Sequence, residues 1–202
     1  MAGNTRERIA EAALTLFSEK GYLGTSMSDI AGALGMTKGA LYKHYRSKEE
    51  ILSHILARME EADAAQATAY EMPLAPPSDI ASYRDTRWES IQAYTLAQFA
   101  YWTEEAFPAR FRKMLTVEQY RDPAMARRYE QYLGAGPLDY MRAVFSGMCG
   151  SETEAREAAL AFYGPMHLLY SVYDNAERKE NAIEILRAHI DTFIETMERK
   201  NS

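Results

Sequence analysis

A single cysteine, Cys149, stands among 202 residues, so the chain builds neither an intramolecular disulfide nor a multi-cysteine metal site. Long apolar runs are also missing. None approaches the roughly 18 to 20 residues that span a bilayer, and no membrane partner is expected. Seven Pro and 11 Gly are too few for a collagen-like or linker-like chain. The opening segment MAGNTRERIAEAALTLF has no apolar core and cleavage site of a secretory leader, and the expectation is a reducing cytoplasm. No stretch alternates with the period of a strand, and no internal repeat or low-complexity tract appears. Catalytic signatures are equally absent: no G-x-S-x-G, no G-x-x-x-x-G-K-[ST] and no G-x-G-x-x-G. Gly134-Ala135-Gly136 runs into Pro137 and follows no strand. No two His share the H-x-x-x-H spacing of a metal site on one helix. Neither an enzyme, a cofactor nor a metal is expected.

What the chain does have is an ordinary globular composition, 47% apolar and 26% charged, with the charge unevenly placed. The whole carries −6. Residues 1–50 hold seven Lys/Arg against six acids, a net +1, whereas residues 51–202 hold 16 against 23, a net −7. Four of the seven early cations, Lys38, Lys43, Arg46 and Lys48, fall within eleven residues. Phosphate binding follows local charge rather than the whole-chain sum. The two parts of the chain have different work.

Helical periodicity runs almost throughout and predicts an all-α fold of about nine to ten helices. Ile9, Ala12, Ala13, Leu16 and Phe17 share one face of a first helix, which Gly21 ends. Ser26 is a good N-cap for a short second helix, with Asp29 in its first turn and Gly35 as its stop. Thr37 caps a second short helix, with Leu41 and Tyr45 inward. Ser47-Lys48-Glu49-Glu50 reads as a capping box before a long helix towards Tyr70. His54 on that helix reads as surface or hinge packing. Pro73, Pro76 and Pro77 break the chain. Ser78 or Asp79 then caps a helix carrying Ile80, Tyr83, Trp88 and onward to Trp102. Further helices follow from Pro108, from Asp122-Pro123, from Leu138, from Ser151 and from about Arg178. Gly164-Pro165 predicts a kink in the penultimate helix, which either follows the core or opens a pocket.

The informative stretch is GYLGTSMSDIAGALGMTKGALYKHYRSKEEI, residues 21–51. Two short helices joined at Gly35-Met36 form a helix-turn-helix, in which one helix fits the major groove and the other crosses the backbone to hold it there. The presented face carries small and polar residues: Thr37, Lys38, Gly39, Ala40, Lys43 and His44. Tyr42 can offer its hydroxyl to a phosphate and its ring to a sugar edge. Amides at Thr25, Ser26 and Lys48 are candidate phosphate donors.

Residues of about 5–55 closely resemble the tetracycline-repressor-like (TetR) family of bacterial transcriptional regulators. The shared signature stands here as Gly21-Tyr22, Thr25-Ser26, Ile30-Ala31, Leu34-Gly35, Lys38-Gly39, Leu41-Tyr42, His44-Tyr45, Ser47-Lys48 and Leu52. The resemblance implies backbone contacts from Tyr42, Thr25, His44 and Lys48. It also implies that Ser28, Thr37, Lys38, Gly39, Ala40 and Lys43 face bases or nearby phosphates. Ala40 offers only an apolar contact, such as to a thymine methyl, so a large share of the affinity is expected from phosphates.

The resemblance further implies a helix-turn-helix DNA-binding domain at 1–50 and a ligand-binding and dimerisation domain at 51–202. A homodimer is expected through helices of about 152–175 and 178–200. There Ala158, Ala159, Ala161, Phe162, Met166, Leu169 and Val172 face Ile183, Leu186, Ile190, Phe193, Ile194 and Met197, and each helix serves both core and interface. Residues 83–132 hold 11 of the 23 aromatics, a composition that suits a hydrophobic or planar effector as well as plain core. The candidate pocket residues are Trp88, Tyr94, Phe99, Trp102, Phe111, Tyr120 and Met141. The expected function is a repressor released from a pseudo-palindromic operator when a small molecule shifts the helix at about 48–70. Control by a protein partner without an effector is the alternative.

Overall fold

The computed structural model describes residues 2–201, and side chains over 5–200. Among the described residues there are ten α-helices and no strand. They run α1 Ala2–Lys20, α2 Met27–Ala33, α3 Lys38–Tyr42, α4 Lys48–Ala69, α5 Trp88–Glu104, α6 Ala106–Glu118, α7 Pro123–Leu133, α8 Ala135–Ser146, α9 Glu152–Asn175 and α10 Glu180–Asn201. One difference from the periodicity stands out. The expected helix from Ile80 to Trp102 is two elements, a 3-10 turn at Ile80–Tyr83 and then α5. Asp79 supplies no side-chain cap to the turn, and Thr86 Oγ1 donates to Tyr83 O at 2.8 Å where the chain re-enters a helix.

Compactness divides the chain elsewhere than at residue 50. One unit takes residues 1–63 with 105–129, and the other takes 64–104 with 130–202. In the first unit α1 packs on α6 and on α2, and α2 packs on α3. Ile9, Leu14, Phe17, Ile30, Leu41 and Phe111 are fully buried there. Gly21 ends α1 at φ +83°, a conformation that suits glycine. A Cβ there would also stand 2.5 Å from Glu118 Oε1, so a larger residue would have to displace that carboxylate.

In the second unit α8 packs on α9, α9 on α10, and α5 on both α9 and α10. The centre is aromatic. Phe145 meets Phe162 edge-on at 5.4 Å and Phe193 at 5.3 Å, and Trp88 closes on Phe145 at 6.0 Å. Phe99 stacks flat on Tyr170 at 5.4 Å. Phe145 is fully buried, so Phe145→Ala removes a ring and leaves a cavity. Urea unfolding should register a loss of about 3 to 5 kcal/mol. A loss under about 1 kcal/mol would mean that this aromatic centre closes over the vacated space.

Candidate nucleic-acid interface

Each short helix of the first unit, hereafter the head, is held at its start by a side chain. Ser26 Oγ accepts from the Asp29 N–H at 3.2 Å, and the Ser26 N–H donates to Asp29 Oδ2 at 2.8 Å, a reciprocal box. Thr37 Oγ1 accepts from the Ala40 N–H at 3.2 Å and starts α3. The expected box at Ser47 is only half made. Ser47 Oγ accepts from the Glu50 N–H at 3.2 Å, but the Glu50 carboxylate turns to the Arg46 N–H at 2.6 Å.

The inner side of α3 is locked. Leu41 and Tyr45 are fully buried. The Tyr45 hydroxyl lies 2.6 Å from His54 Nδ1, and His54 Nε2 lies 2.8 Å from Glu7 Oε1. Arg58 Nη1 donates to the other Glu7 oxygen at 3.1 Å. Arg6 stacks over the Tyr45 ring at 4.2 Å and donates to His44 O at 2.7 Å. This network ties α1, α3 and α4 together. It gives His54 more than surface or hinge packing to do. Local pattern misses that role because the partners of His54 lie 9 and 47 residues away.

The outer side presents Ser28, Thr37, Lys38, Gly39, Tyr42 and Lys43, all exposed, with Ala40 and His44 half-buried. A Cβ on Gly39 would meet nothing within 4 Å, so this face is open. Lys38 Nζ stands 5.9 Å from the centre of the Tyr42 ring. The other three candidates face inward or are engaged. Thr25 is 2% exposed, and its hydroxyl donates to Gly21 O at 2.8 Å. Ser26 is occupied by Asp29. Lys48 Nζ donates to Tyr22 O at 2.6 Å and Thr25 O at 2.8 Å, and sits 4.4 Å from the Tyr22 ring centre. An ammonium has three N–H donors, so one is left for a phosphate. Lys48 thereby pins the α1–α2 loop. Burial, and then the nearby Glu49 carboxylate, push the Tyr22 phenol up to about 12, so it keeps its proton at neutral pH.

Comparison with known proteins bears on this head. The profile of bacterial regulatory proteins of the tetR family matches residues 9–55. The AcrR regulator of Shigella flexneri is 44% identical over 54 residues, which is 27% of this chain and 25% of that protein. The negative regulator IcaR of the biofilm operon icaADBC of Staphylococcus epidermidis is 50% identical over 46 residues, 23% of this chain and 25% of that protein. The match thus spans about a quarter of the length of these relatives. Over the whole fold, the TetR-family regulator PfmR of Thermus thermophilus is 28% identical with a TM-score of 0.59, covering 93% of this chain and 94% of its own. MexZ of Pseudomonas aeruginosa shares the fold at a TM-score of 0.66 and 23% identity, covering 94% of each. Residues 9–55 are thus similar to the tetR-family regulators, and the whole chain is similar in fold to solved TetR-family proteins.

The candidate pocket residues are divided between the two units. Phe111 and Tyr120 lie in the first, where Phe111 is fully buried and Tyr120 is 85% exposed at the end of α6. Trp88, Tyr94, Phe99, Trp102 and Met141 lie in the second. Phe99, Trp102 and Met141 are buried there, and Trp88 and Tyr94 are half-buried. Tyr94 meets Tyr70 at 6.4 Å and Tyr140 at 6.3 Å, and its hydroxyl accepts from Gln98 Nε2 at 2.7 Å. A groove of about 640 Å³ opens along α9 and α10, with Ala158, Ala161, His189, Phe193, Met197 and Lys200 in its walls. None of the candidate pocket residues lines it. Cys149 does, and burial pushes its thiol up, away from the reactive thiolate. Among the described residues no His, Cys, Asp and Glu cluster fits a metal, and no helix is long and apolar enough to cross a membrane.

The capping box carries a pH signature. Hydrogen bonds from the Ser26 side chain and backbone hold the Asp29 carboxyl below its usual range. A depressed carboxyl stabilises the fold above its unfolded value of about 4, and that contribution is lost as pH falls through the folded value. Thermal melts of Asp29→Asn should therefore lie below wild type at neutral pH and converge with it in acid. A gap that stays constant down the pH series would remove the ionised box from the account.

Proposed function

We propose that the protein is a DNA-binding transcriptional repressor that grips a pseudo-palindromic operator as a homodimer and lets go when a small hydrophobic or aromatic effector binds. The observation that carries the reading is the two-sidedness of α3. One face is buried on Leu41, with Tyr45 just beyond the helix, while Thr37, Lys38, Gly39, Tyr42 and Lys43 are exposed. That is the geometry a major-groove helix needs: a rigid back, and small, polar and cationic residues in front. Among the relatives, IcaR is named a negative transcriptional regulator and MexZ a repressor, which supports the same sign here.

Residues 1–50 make the DNA contacts in this reading, and residues 51–202 hold the effector and the second subunit. The subunit contact is supported by α9, where Leu160, Leu168 and Val172 are 62%, 64% and 41% exposed on one stripe, with Gly164 between them. Ile185 on α10 is 54% exposed. The sequence pattern picks out Val172 but passes over the other three, because burial within one chain and burial between chains share a period. The effector class is supported by the Tyr70, Tyr94 and Tyr140 rings with the Gln98 amide beside them, which suit a planar partner. For the effector to release DNA it must bind the two states with different affinity. A regulator of bacterial DNA acts in the cytoplasm.

Two measurements test this. Duplexes selected from sheared genomic DNA by the purified protein should bind wild type tightly. Tyr42→Ala with Lys43→Ala should abolish that binding while the molecular mass in solution stays that of a dimer. Persistent binding would remove α3 from the interface. Leu168→Glu should give a monomer by light scattering with an unchanged helical spectrum, and a dimer that survives this charge would move the subunit contact off α9.

A further inference from the structure

The unit that carries α3 also takes in residues 105–129, and this changes its charge. Residues 1–63 alone hold eight cations against nine acids, a net −1. Residues 105–129 add six cations against three acids, bringing the unit to +2 while the other unit stands at nine against 17, a net −8. At the α6–α7 turn itself the charges are sorted by direction. The Glu118 side chain is fully buried, with Oε1 accepting from Arg121 Nη1 at 3.2 Å. Asp122 Oδ1 is turned to the Ala124 N–H at 2.7 Å as the cap of α7. The outward groups are Arg121, Arg127 and the 85% exposed ring of Tyr120. This turn borders the α1–α2 loop. Arg121 Nη1 would be 3.2 Å from a Cβ on Gly21, and the charge of Arg128 is felt by the Tyr22 phenol. Lys48 pins the same loop from its other side.

From this arrangement we infer that the α6–α7 turn is a second DNA-binding surface, with Tyr120, Arg121, Arg127 and Arg128 meeting backbone phosphates that flank the half-site read by α3. The inference rests on the DNA-binding reading above and extends it. A duplex carries a charge every ~1.7 Å and continues past any half-site, so cations beside the head meet phosphates without needing a particular sequence. Phosphate contacts of this kind fix register and orientation rather than specificity. Tyr120 adds a ring and a hydroxyl suited to a sugar–phosphate edge.

The test uses the full-length dimer and duplexes it selects from genomic DNA, in two lengths: trimmed to the protected core, and extended by about one helical turn, ~10 base pairs, at each end. Arg127→Ala/Arg128→Ala leaves the Arg121–Glu118 pair intact. Arg127→Glu, at an exposed position, is the variant that keeps the fold if the double change does not. Wild type should prefer the extended duplex. Both variants should lose that preference and bind the extended duplex on the order of tenfold more weakly. Their salt slope should be shallower by about 0.9 for each phosphate that the protein no longer neutralises. Binding to the trimmed duplex should be unchanged. Folded variants that keep the wild-type slope and length preference overturn the second surface and leave the reading of α3 standing. Equal weakening on both lengths also overturns it, since the arginines then act within the core site. Wild type that binds no duplex at low salt overturns both.

Discussion

The hydroxyl of Tyr45 has two acceptors in reach, His54 Nδ1 at 2.6 Å and Arg6 O at 3.2 Å, and a single proton to give. With His54 protonated on Nε2 alone, that proton goes to Nδ1. With Nδ1 protonated as well, the hydroxyl accepts from the ring and donates to Arg6 O. His54 Nε2 faces Glu7 in both cases, so every group keeps a partner in either state. The remainder of the head depends on this junction. It joins the end of α3 to α1 and α4, and it allows α3, only five residues long, to present a fixed outer face. A helix so short has little stability of its own and takes its order from packing.

Charge placement follows a similar rule. Five acids in the unit of α3 have local tasks: Asp29 and Asp122 as caps, Glu7 and Glu118 as partners of Arg58 and Arg121, and Glu50 at the Arg46 N–H. Others such as Glu19, Glu60 and Glu61 stay exposed, away from α3 in the sequence. Cations are left on the outside at Lys38, Lys43 and Arg127. A chain of net −6 can thus present a surface suited to phosphates, because the potential at a surface is set by the charges that point there.

The second unit is arranged around rings rather than charges. Phe145, Phe162 and Phe193 close the junction of α8, α9 and α10. The aromatic density over residues 83–132 proves to be divided: Phe107, Phe111 and Tyr120 belong with the head, and Trp88, Tyr94, Phe99 and Trp102 belong with the other unit. Consecutive helices are free to join different cores.

The amino-acid sequence by itself determined the helical class, the caps at Ser26 and Thr37, the stops at Gly21 and Gly35, and the exposed row on α3. All of these are set within one or two turns of chain, by φ angles, cap hydrogen bonds and helical period. Tertiary structure alone decided which residues at those positions stay available. Lys48 is engaged by carbonyls of the α1–α2 loop, crossing 26 residues to reach Tyr22 O. It also decided that residues 105–129 join the head and that Leu160, Leu168 and Ile185 remain uncovered. Long-range packing sets those outcomes, and a local pattern carries no trace of it.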